Sequence, residues 1–154
     1  MKAISLWEPW ASLMMLGAKT IETRSWPTKY RGELLICAAQ GGLSNRELSI
    51  LLNEYMFRDA LKSLSNGDLQ ISDLNFGRAL CLVDLVDCIP TERMKALSLL
   101  HPESVEFQFG NYEDGRFAWI TKNLRPLLHP FKMKGGQRIF NISQNEMETV
   151  MRWI

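Results

Sequence analysis

Lys19, Glu22 and Arg24 are the residues whose types and spacing most directly offer chemistry. They fall in the stretch Gly17-Ala18-Lys19-Thr20-Ile21-Glu22-Thr23-Arg24, where β-branched residues interleaved with charge predict a strand from Thr20 to Arg24. Side chains alternate along a strand, so Thr20, Glu22 and Arg24 share one face, while Ile21 and Thr23 share the other. Lys19 sits in the turn after Gly17, from which its flexible stem can swing over the mouth of the polar face and meet Glu22. A lysine, a carboxylate and a guanidinium gathered there can hold an anion or a polar base edge. They can also serve acid–base chemistry where burial shifts a pKa. On periodicity alone, the same residues read as an exposed hairpin laced by weak surface ion pairs.

The neighbourhood adds stacking faces. Trp7, Trp10 and Trp26 lie in one short N-terminal stretch, Tyr30 and Arg31 follow closely, and Trp119 comes later. Aromatics beside cationic residues suit single-stranded nucleic acid or an extruded base, although any one tryptophan taken alone is an ordinary packing residue. Lys132, Lys134 and Arg138 around Gly135-Gly136 form a local basic loop whose backbone can approach phosphates, and a solvated hairpin turn explains it almost as well. Asp84 and Asp87, an odd number apart, face opposite sides of a regular strand. His101 and His129 each precede a proline without Cys or acidic neighbours at ligand spacing, so they read as exposed loop histidines and no metal site is expected. No nucleophile elbow, phosphate-binding loop or dinucleotide fingerprint is present, and no cofactor is expected.

These side chains need elements to hold them. Lys2 to Trp7 predicts a first strand, and Pro9 suits the first turn of a short helix that Gly17 ends. Glu33 to Ala38 predicts another strand. Ser44-Asn45-Arg46-Glu47 is a capping box that starts a helix with Leu48, Leu51, Leu52, Tyr55 and Met56 on one face, closed by Asn66-Gly67. A loop from Asp68 to Gly77 leads to a long strand from Arg78 to Ile89, which Pro90 stops. A short helix from Thr91 to Leu100, a variable loop from Pro102 to Gly115, and strands at Phe117–Thr121, Leu124–Leu128 and Arg138–Ile142 follow. A second capping box, Ser143-Gln144-Asn145-Glu146, opens a terminal helix. Short strands punctuated by turns, with two or three helices attached, predict an α+β fold built on a small barrel or strongly curved sheet.

Composition bounds the rest. The 154 residues are 46% hydrophobic, the size and apolar content of one domain over residues 1–154. Eighteen Lys and Arg against seventeen Asp and Glu give a net charge of +1, so any contact with a polyanion must be local. Cys37, Cys81 and Cys88 form no CxxC pair and sit in apolar runs, which predicts buried thiols and a cytoplasmic setting. The first residues lack the unbroken apolar stretch of a secretory signal, and no run approaches the roughly 20 apolar residues of a membrane span.

The octapeptide from Gly17 to Arg24 resembles the GxKxxExR signature of ASCH domains, members of the PUA-like superfamily. Further segments resemble the family in the same order. They are Ile4-Ser5-Leu6-Trp7-Glu8-Pro9-Trp10-Ala11 (with Glu8 where Gln is common), Tyr30-Arg31-Gly32, Phe76-Gly77-Arg78 leading to Val83-Asp84, Phe117-Ala118-Trp119, and Lys134-Gly135-Gly136-Gln137-Arg138-Ile139-Phe140. The resemblance implies a small PUA-like β-barrel with flanking helices and a cleft lined by the Lys19, Glu22 and Arg24 segment. It implies RNA binding and, in some relatives, chemistry on modified nucleosides. The family's best-defined activity is amide hydrolysis of N(4)-acetylcytidine by a lysine, a threonine and a glutamate. Lys19 matches that lysine, Glu22 stands in the threonine's place, and Glu106, Glu113 and Asp114 lie in the region of the glutamate. In such a hydrolysis Glu22 is the expected base, Lys19 or Arg24 the electrophilic support, and Trp7, Trp10 or Trp119 the stacking wall. Three functions are therefore expected in order: an RNA or nucleic-acid binding domain, a small amidohydrolase on an acylated nucleoside, and a protein-interaction module.

Overall fold

A computed structural model describes all 154 residues. Six strands form one mixed sheet, curled into a half-barrel, in the order β2-β5-β4-β3-β1-β6. They are β1 (Lys2–Leu6), β2 (Ile21–Arg24), β3 (Gly32–Ala38), β4 (Arg78–Pro90), β5 (Phe117–Lys132) and β6 (Ile139–Asn141). Only β1 and β3 run parallel; the other pairings are antiparallel. Six helices flank the sheet: α1 (Trp10–Met15), α2 (Asn45–Asn53), α3 (Tyr55–Leu61), α4 (Thr91–Ala96), α5 (Val105–Gln108) and α6 (Gln144–Trp153).

The central strand β3 shows why the sheet is buried on both faces. Leu34, Ile36 and Ala38 join Ile4, Leu6, Met14 and Trp119 in one cluster, whereas Leu35 and Cys37 join Ala3, Leu127 and Val150 of α6 in another. This is the two-residue alternation of a strand with apolar partners on each side. Burial pushes the Cys37 thiol up to about 12, so it stays protonated as a small hydrophobe. Cys81 is buried likewise, and Cys88 is half-buried against the same core.

Both capping boxes form. Ser44 and Glu47 exchange backbone and side-chain hydrogen bonds of 3.1 and 3.2 Å, and Ser143 and Glu146 do so at 2.8 and 3.1 Å. The helix after Ser44 is not continuous, because Glu54 adopts an extended backbone (φ −71°, ψ 131°) and splits it into α2 and α3. The break lets Leu48, Leu52, Phe57 and Leu61 all reach the cluster they share with Leu13 of α1 and Phe109. The two strands expected at Phe117–Thr121 and Leu124–Leu128 are one strand, β5, with a kink. Asn123 takes a left-handed φ of 55° there, and the register against β4 shifts between Leu82 and Asp84. His129 accordingly lies in a strand rather than a loop, its ring edge-on to Trp153 at 4.5 Å. The expected loop from Pro102 to Gly115 contains α5, capped by Ser104, whose hydroxyl accepts from Phe107 N.

Candidate functional site

Gly17 sets the start of the site. Its φ of +78° is open to glycine at little cost, and its N–H donates to Met14 O at 3.1 Å as α1 ends. The chain then turns into β2, which lies at the sheet edge and pairs only with β5, setting Glu22 opposite Trp119 and Arg24 opposite Phe117. Glu106 of α5 secures the start of this edge strand, accepting from Thr20 N at 2.8 Å, Thr20 Oγ1 at 3.0 Å and Ile21 N at 2.9 Å. Of the acidic residues in its region, Glu106 is the one that touches this segment; Asp114 pairs with Lys95 at 2.6 Å.

Ile21 and Thr23 turn inward: Ile21 packs with Met94, Tyr112 and Ala118, and Thr23 Oγ1 accepts from Asn111 N at 3.1 Å. Glu22 and Arg24 are half-buried on the opposite face and line the same cavity. Thr20 precedes the strand and spends its hydroxyl on Glu106, so it does not join them.

Two adjoining cavities, of about 510 and 410 Å3, share Trp10, Glu22, Thr23 and Arg116 as a common wall. Ser5, Trp7, Arg24 and Trp26 line the larger; Glu54, Phe57, Gln108 and Asn111 are among those lining the smaller. Both guanidinium groups are pinned to backbone. Arg24 Nη2 donates to Ser5 O at 3.0 Å, while Arg116 Nε and Nη2 donate to Asn111 O and Thr23 O, each at 3.1 Å. Glu22 takes part in none of the ion pairs of the chain and accepts a single protein hydrogen bond, from Thr23 N to Oε1 at 2.9 Å. Two groups beside it are buried without partners, Arg24 Nε and Ser5 Oγ. Burial, and after it the Glu106 and Glu22 carboxylates, push the Tyr112 phenol up, so it remains neutral.

The aromatics divide by role. Trp7 is 55% exposed, with Gly42 packed against its ring, and Trp10 is half-buried in the common wall. Trp26 is half-buried, its ring perpendicular to that of Trp119 at 4.7 Å. Trp119 itself is 1% exposed, donates its Nε1 proton to Trp26 O at 3.3 Å, and lines neither cavity. It supports the aromatic wall from behind.

The ion pair that spacing suggests between Lys19 and Glu22 is not formed. Lys19 is 1% exposed, its Nζ donates to Ile21 O, and it lines a separate cavity of about 240 Å3 with Met14, Val83 and Leu124. The aliphatic stem gains more from these apolar neighbours than from crossing the strand to the open face. Tyr30 and Arg31 also stay outside the cleft. Tyr30 donates its hydroxyl to Glu33 O, and Arg31 holds Thr28 O and Tyr30 O at 2.9 and 2.8 Å and faces Asp87 at 3.6 Å. Asp84 is engaged elsewhere, with Arg125 at 2.5 Å.

The basic loop approaches the cleft from the side. Arg138, exposed, places its guanidinium carbon 4.5 Å from the Trp26 ring centroid. Lys134 lines a depression of about 470 Å3 with Lys132, Gln40 and Gly135, and a Cβ on Gly135 would come within 2.7 Å of Ser5 Oγ. Ser5 thus lies between the loop and the larger cavity. Sequence reasoning passes over Arg116, whose only local signal is its position between the Asp114-Gly115 turn and the Phe117 strand. No three His, Cys, Asp or Glu side chains gather where they could hold a metal ion, and no helix is long and apolar enough to cross a membrane.

The ASCH domain model matches residues 4–131. Activating signal cointegrator 1 from Homo sapiens is 31% identical over 140 residues, covering 90% of this chain and 22% of that protein. The Mus musculus protein of the same name matches with the same identity and coverage. The chain therefore spans about a fifth of the length of the curated relatives it matches. Among solved structures, the crystal structure of ASCH from Zymomonas mobilis is similar with a TM-score of 0.54 and 13% identity, covering 98% of this chain and 93% of that one. A point mutant of that protein matches with the same TM-score and 12% identity, covering 98% and 96%. At such identities the likeness is one of fold.

Proposed function

The chain belongs to the ASCH domain family, and from that membership we propose that it is an RNA-binding module that receives a base from a single-stranded segment in the cleft at β2. The observation that carries this reading is the common wall of Trp10, Glu22, Thr23 and Arg116, with Trp7 and Trp26 on the larger cavity beside it. Indole faces next to polar side chains suit a stacked base whose edge is hydrogen-bonded. Arg138 on Trp26 joins the basic loop to the larger cavity, which gives phosphates a path towards Lys134 and Lys132. A net charge of +1 disfavours tight, non-specific duplex binding and leaves room for a short strand held locally.

The hydrolase reading takes Glu22 as base and either Lys19 or Arg24 as electrophilic support; Arg24 shares the larger cavity with Glu22, and only the lysine-centred form asks for Lys19 there. With Lys19 Nζ turned to Ile21 O in another cavity, the geometry favours binding over lysine-centred amide hydrolysis.

The test is fluorescence anisotropy of an end-labelled single-stranded RNA of eight to ten nucleotides, titrated at several salt concentrations. The expected result is binding at low salt whose logarithm falls linearly with that of salt, by about 0.7 for each phosphate neutralised. Replacing Lys134 and Arg138 together flattens that slope. Absence of binding at 50 mM salt refutes the reading.

A further inference from the structure

We propose that the cleft selects guanine, and that the carboxylate of Glu22 reads its Watson–Crick edge. This rests on the RNA-binding reading above and goes further, since it names the base and the residue that chooses it.

Glu22 is an acceptor with capacity to spare. An ionised carboxylate offers about four lone-pair sites and no donor, and here one hydrogen bond from Thr23 N, to Oε1, is its only engagement with the protein. The cations that share its cavities are committed elsewhere: Arg24 holds Ser5 O, and Arg116 holds Asn111 O and Thr23 O. A half-buried carboxylate that neither guanidinium hydrogen-bonds is a place for a ligand with donors.

The base edges then separate by chemistry. Guanine presents two adjacent donors, N1–H and the N2 amino group, which match the two oxygens of a carboxylate as a guanidinium does. Adenine sets the N1 acceptor beside its N6 amino group, cytosine sets N3 beside its N4 amino group, and uracil flanks its one N–H with two carbonyls. Each of the three turns at least one lone pair towards Glu22, at the cost of repulsion or an unpaired polar group. The guanidinium groups on the same lining speak against a cationic ligand. Trp10, in the wall with Glu22, and Trp7 supply stacking faces.

The test uses labelled eight-nucleotide oligouridines that carry G, A, C or inosine at one central position, titrated with the wild-type chain and with Glu22→Gln. The expected result is that G binds about tenfold more tightly than A or C, and that inosine, which lacks the N2 amino group, falls between. Glu22→Gln compresses the series to within about twofold while the salt dependence of binding persists. The wild-type series stands as a test even if the variant misfolds. Equal wild-type affinity for G, A and C, or an unchanged preference in Glu22→Gln, overturns the guanine assignment and leaves the RNA-binding reading standing. Failure of every oligonucleotide to bind at low salt overturns both.

Discussion

The guanidinium carbon of Arg138 lies 4.5 Å from the centroid of the Trp26 ring, whose plane stands perpendicular to that of buried Trp119. One contact thus ties the basic loop to the aromatic wall, and through Trp119 to the core of the half-barrel. Arg138 holds a left-handed φ of 54°, a conformation uncommon for a residue with a side chain and sustained here by its surroundings.

Arg138→Ala is expected to cost about 0.5–1 kcal/mol of stability from the lost cation–π contact. It should also lower the salt slope of RNA binding by about 0.7, one phosphate contact on a single strand. Arg138→Lys keeps the charge, so a slope reduced equally in both variants would count against a role for that charge at phosphate. Urea denaturation and anisotropy across a salt series measure the two effects.

Trp7 and Trp119 should respond in opposite ways. Trp119 is fully buried, and its replacement by alanine is expected to cost about 3–5 kcal/mol of unfolding free energy. Trp7 is 55% exposed, so Trp7→Ala should change stability by less than about 1 kcal/mol and weaken RNA binding by about 1–3 kcal/mol. Unchanged RNA affinity in Trp7→Ala would remove it from the stacking wall.

Glu106 receives three hydrogen bonds at the start of β2. Glu106→Ala leaves two backbone N–H groups and a hydroxyl without their acceptor, at an expected cost of about 1–3 kcal/mol, and should speed amide exchange at Thr20 and Ile21 ahead of the rest of the sheet. Native-state hydrogen exchange checks this; uniform exchange rates across β2 and β5 would assign the loss to something other than the edge strand.

Glu8 is buried, and burial raises its pKa above 4.5 despite hydrogen bonds from Ser12 Oγ at 2.8 Å and from Ser12 N and Asn75 N, each at 3.3 Å. The folded state therefore favours the protonated acid. Its contribution to stability is complete below the ordinary carboxyl range and is lost as pH rises from there through the folded-state pKa. Glu8→Gln cannot ionise, so the unfolding free energy of the variant minus that of wild type should grow as pH rises from mildly acidic towards neutral. A difference that stays constant with pH would show that Glu8 titrates alike in both states.

Local signals carried far along this chain. The Ser44/Glu47 and Ser143/Glu146 boxes form where their spacing places them, because a cap is settled by residues three apart. Gly17 ends α1 for the equally local reason that its φ is positive. Alternation set Glu22 and Arg24 on one face of β2, and the pleat keeps them there. The break at Glu54 carries no glycine or proline, so nothing local marks it; the demand of Leu48, Leu52, Phe57 and Leu61 for one shared cluster produces it. The kink at Asn123 interrupts the apolar alternation of β5 enough to resemble a strand end, although pairing with β4 continues across it.

Residue type and short-range period were enough for the α+β class, the family and the shared face of Glu22 and Arg24. Tertiary structure decided which of those residues meet. Pairing across nearly a hundred residues sets Arg24 opposite Phe117 and so brings Arg116, which no local pattern singles out, to Glu22. The same packing buries the Lys19 stem among Met14, Val83 and Leu124 and withdraws its amine from that carboxylate. Long-range pairing and competition for apolar surface govern both outcomes, and neither is encoded within the few residues around Glu22.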